Sequence, residues 1–72
     1  MSRSVQETIE YLNLIISQHR EQGKNKFGLE MDIVNDSNNV IDYITNYYNL
    51  QGISCAMKYC VLKNDYEVMI WW

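Results

Sequence analysis

Apolar positions along the chain recur with two periods. Val5, Ile9, Leu12 and Ile16 follow one another at spacings of four and three, and His19 continues the series. That is one face of a helix. Ser4 stands before it with Glu7 three residues on, the pattern of a capping box. Arg20 falls in the last turn, and Gly23 suits the position just past a helix end. The pattern predicts a helix over 4–22. Tyr11, Leu14 and Ile15 lie off its apolar stripe, and Leu14 sits almost opposite Val5 on a helical wheel. A helix in a two-layer domain should be polar there. A stray leucine on a wide stripe is the plain explanation; contact with a second chain is the sharper one.

From Lys26 to Val34 the period changes to two. Phe27, Leu29, Met31 and Ile33 point one way, and Gly28, Glu30 and Asp32 the other. This predicts a strand with one buried face. A glycine inside a strand marks a bulge or a close approach by another group. Asn35-Asp36-Ser37 reads as a loop leading to a helix cap at Asp36 or Ser37. Val40, Ile41, Ile44, Tyr47 and Tyr48 return to the helical period and predict a second helix over 37–50, stopped by Gly52.

The last third is the most apolar. Ile53–Lys63 and Tyr66–Trp72 flank Asn64-Asp65, residues that tolerate the positive φ a two-residue hairpin loop requires. That loop would set Lys63 opposite Tyr66, Val61 opposite Val68, Tyr59 opposite Ile70 and Met57 opposite Trp72. With Cys55 and Ile53, these form the core face. The other face carries Ser54, Ala56, Lys58, Cys60 and Leu62 on one strand, and Glu67, Met69 and Trp71 on its neighbour. Lys58 would lie opposite Trp71, and Cys60 opposite Met69. A half-solvated sheet should be polar on this side. A contiguous apolar patch needs an explanation. It is covered by a strand or chain end, or Lys58 lies along Trp71 as a cation–π pair, or the face binds another chain.

The element order is therefore α-β-α-β-β. Each helix and each strand has one apolar face, so the economical arrangement is an α+β fold, a two-layer α/β sandwich. Two helices pack on one face of a three-stranded, mainly antiparallel sheet. The most apolar strand, the third, belongs in the middle, giving strand order 1-3-2 within a single domain, 1–72; the alternative sets strand 2 in the middle, parallel to strand 1.

Composition then narrows the function. A chain of 72 residues buries only about 60% of its unfolded surface, so the core is small. Small scaffolds compensate with disulfides, metals or partners. Cys55 and Cys60 have odd spacing, point to opposite faces of a strand, and cannot bridge each other. His19 is the only histidine, so no metal site and no cofactor is expected. Association is the compensation that remains. Nine acids against six bases give a net charge of −3, which disfavours direct nucleic-acid binding. Tyr43, Tyr47 and Tyr48 lack the cationic groove that base stacking needs. Glu30 and Asp32 resemble a carboxylate pair, but no further ligand or base accompanies them. An enzyme is not expected. No stretch is long enough to span a membrane, and free thiols with no export signal suggest the cytoplasm.

Asn, Ile and Tyr are abundant, alanine occurs once, arginine twice and proline not at all. This skew fits an AT-rich genome and, by association, a phage or mobile element. The expectation is a small protein-binding module, an inhibitor or antitoxin-like factor that occupies a partner's surface as a homodimer. If phage-encoded, it would bind a host protein in the host cytoplasm. The partner-binding candidates are Trp71, Met69, Lys58, Cys60 and Leu62 on the hairpin, with Leu14 and Tyr11 on the first helix. The alternatives are an acidic nucleic-acid mimic and a binder of a small ligand such as a nucleotide.

Overall fold

The computed structural model describes residues 3–33 and 39–72. The elements are α1 (Val5–Glu21), β1 (Lys26–Met31), α2 (Val40–Asn49), β2 (Ser54–Cys60) and β3 (Asp65–Trp71). The fold is α+β, and the antiparallel sheet has order β1-β3-β2, so the last strand is central. Asp36, Ser37 and Val34, where the sequence places a helix cap and a strand end, lie outside the described residues.

Local chemistry accounts for the helix ends. Ser4 is extended, and its Oγ accepts the Glu7 amide at 3.1 Å. At the other end Gly23 has φ 76°. Its amide donates to the Arg20 carbonyl at 3.0 Å and that of Lys24 to the His19 carbonyl at 2.9 Å. This paired return is a Schellman motif, which needs a left-handed residue and favours glycine. In α2, Asn39 takes the cap position, and its side chain forms no capping bond.

Ile9, Leu12 and Ile16 of α1 meet Val40, Ile44 and Tyr48 of α2 over Met31, Tyr66, Val68 and Ile70 of the sheet. Both helices therefore cover one face. Fully burying each of these aliphatic side chains contributes about 1.5–3 kcal/mol. Tyr48 is buried among them, and its hydroxyl donates within 2.9 Å of Asn13 Oδ1 and 3.3 Å of the Ile9 carbonyl. Burial raises its pKa far above the ordinary tyrosine value, with Tyr47 and Cys55 adding to the shift. Thr8, also buried, donates to the Ser4 carbonyl at 2.7 Å. The helices are thus joined by packing and by one buried hydroxyl.

The hairpin differs from the expected one. The turn spans residues 61–64, and only Asn64 has positive φ, at 55°. Val68 lies opposite Met57 instead of Val61, and Ile70 opposite Cys55 instead of Tyr59. A two-residue loop needs positive φ at both residues (type I′) or at a first residue that is usually glycine (type II′), and neither Asn64 nor Asp65 is glycine. The longer turn asks for one left-handed residue, which asparagine tolerates. It also brings Tyr59 opposite Tyr66, their rings 5.0 Å apart, and lets the Tyr59 hydroxyl donate to Asn64. The offset is even, so the side chains of β2 and β3 keep their expected faces, but Val61, expected on the core face, stands exposed in the turn beside Leu62. Lys58 consequently faces Glu67 rather than Trp71, and Cys60 faces Asp65 rather than Met69.

Candidate functional site

The face of the sheet turned away from the helices is built from cross-strand rows. Lys26, Trp71 and Ser54 form one row; Gly28, Met69 and Ala56 the next; Glu30, Glu67 and Lys58 the third; and Asp65 with Cys60 closes it. The alternation that buries Tyr66, Val68 and Ile70 necessarily turns Glu67, Met69 and Trp71 outward. Trp71 is 44% exposed and Met69 56%, although both stand on the central strand.

The middle row explains the relief of this face. Met69 is flanked by Gly28 and Ala56, so the strand on each side carries almost no side chain. An open trough of about 500 Å³ runs over Gly28, with Lys26, Phe27, Met69, Ile70 and Trp71 along it. A Cβ at Gly28 would stand 3.6 Å from Met69 Cγ, an ordinary contact. Glycine is therefore not required by packing here, and its effect is to leave the trough open.

The third row is charged. Glu30 and Glu67 are direct cross-strand neighbours, an arrangement that costs stability. Lys63 offsets it by reaching back from the turn, with Nζ 2.7 Å from Glu30 Oε1. This hydrogen bond is the main reason the Lys63 ammonium is held above its ordinary pKa. Lys58 stands on the other side of Glu67. The face thus has an aromatic–thioether ridge, a trough beside it and a charged margin.

The candidate residues do not form one surface. Trp71, Met69, Lys58 and Cys60 share the open face. Leu62 lies in the turn, 98% exposed, beside an exposed Val61. Leu14 and Tyr11 are on α1 in the opposite layer, Leu14 55% exposed and Tyr11 beneath the Arg3 guanidinium at 4.3 Å. Lys26 was not singled out from sequence. Its position in a row with Trp71 depends on which β3 residue pairs with it, and that register leaves no mark in a strand's own alternation.

The residues that would carry chemistry are dispersed. His19 Nδ1 lies 3.0 Å from the Ile15 carbonyl, and its ring is 5.1 Å from that of Phe27. Cys55 is on the helix side, and burial pushes its thiol up to about 11. Cys60 is on the other face. Glu30 is paired with Lys63, while Asp32 lies past the end of β1, its carbonyl accepting the Arg3 amide at 3.1 Å. Tyr48 is buried, Tyr47 packs edge-on against it at 5.0 Å, and Tyr43 is exposed, so the three rings make no common platform. Among the described residues no cluster of three metal-ligating side chains occurs, and no helix is long and apolar enough to cross a membrane. Compared with known proteins, the chain matches no family model, no curated protein and no solved structure.

Proposed function

We propose that the chain is a non-enzymatic protein-binding module whose working surface is the open face of the sheet. The observation that carries this reading is the outward exposure of Trp71 and Met69 on the central strand, where a solvated sheet would be polar. Tryptophan and methionine are enriched in protein interfaces, and tryptophan is a frequent energetic anchor. Small neighbours leave room beside the ridge, and the charges at the margin supply a polar rim. Such a face acts by covering part of another protein, as an inhibitor does, and needs no catalytic group.

The trough beside Trp71, with Lys26 at its edge, is what favours the second reading, a small anionic ligand such as a nucleotide. Sites for small molecules bury about 70–90% of their ligand. A trough on an open sheet encloses much less, so a protein surface is the better occupant.

The test compares wild-type and Trp71→Ala chains as bait in host lysate, with circular dichroism on both. The reading expects captured proteins that disappear with Trp71→Ala while the spectrum is unchanged. Identical captures from two equally folded baits would contradict it.

A further inference from the structure

We draw no further inference here: the strongest candidate, the trough over Gly28 beside Trp71 on the open face of the sheet, belongs to the docking face already described, and nothing in the structure shows what covers it.

Discussion

On β3, adjacent residues have opposite fates. Ile70 is fully buried, and Trp71 beside it stands in solvent. Ile70→Ala should therefore cost about 2–5 kcal/mol. Trp71→Ala, which removes a larger side chain, should cost less than about 1 kcal/mol, as surface changes usually do. Urea denaturation compares the two directly. Tyr48→Phe tests the buried hydroxyl between the helices, and losing its bonds to Asn13 and Ile9 should cost about 1 kcal/mol by the same measurement. Cys55 gives a pH dependence with a definite sign. Burial raises its thiol to about 11 in the fold, and Tyr48 and Tyr66 are raised for the same reason. The folded state then holds these protons at pH values where the unfolded chain releases them. Stability is fully present below the unfolded thiol's pKa of about 8.5 and is lost as pH rises from there through about 11. Melting temperature across that window checks the slope. Alkylation at pH 8 should label Cys60 ahead of Cys55.

The hairpin shows what an element reveals of itself in sequence. The face of each strand residue was legible, because alternation fixes it whatever the loop. The register was not, because it hangs on one turn, and Asn64-Asp65 fits a tight loop nearly as well as a wider one. What distinguishes the wider turn is Lys63 reaching Glu30 across the sheet and Tyr59 pairing with Tyr66. Neither is readable from a strand's own alternation. The helix caps at Ser4 and Gly23 were readable because their bonding partners are within five residues. The binding candidates divided along the same line. Trp71 and Met69 were visible as a break in alternation, whereas Lys26 and the function of Gly28 required knowing which strand lay beside which. Asn64→Gly should keep the left-handed turn, and Asn64→Ala should destabilise the hairpin by about 1 kcal/mol relative to it. The difference is measurable as a shift in urea midpoint.

For the whole molecule, the two layers have different duties. The helices close the core over one side of the sheet, and α1 leaves Leu14 and Tyr11 exposed in the other layer. The other side of the sheet has its ridge, trough and charged margin uncovered among the described residues. A small core and an unshared face together make association the natural use of this fold. The most direct measurement is a map of amide chemical shifts in an isotopically labelled chain, recorded as a captured partner is added. The account predicts changes gathered on Lys26, Gly28 and Glu30, on residues 54–58, and on residues 67–71, with α1 silent. Changes centred on Tyr11 and Leu14, or no change, would contradict it.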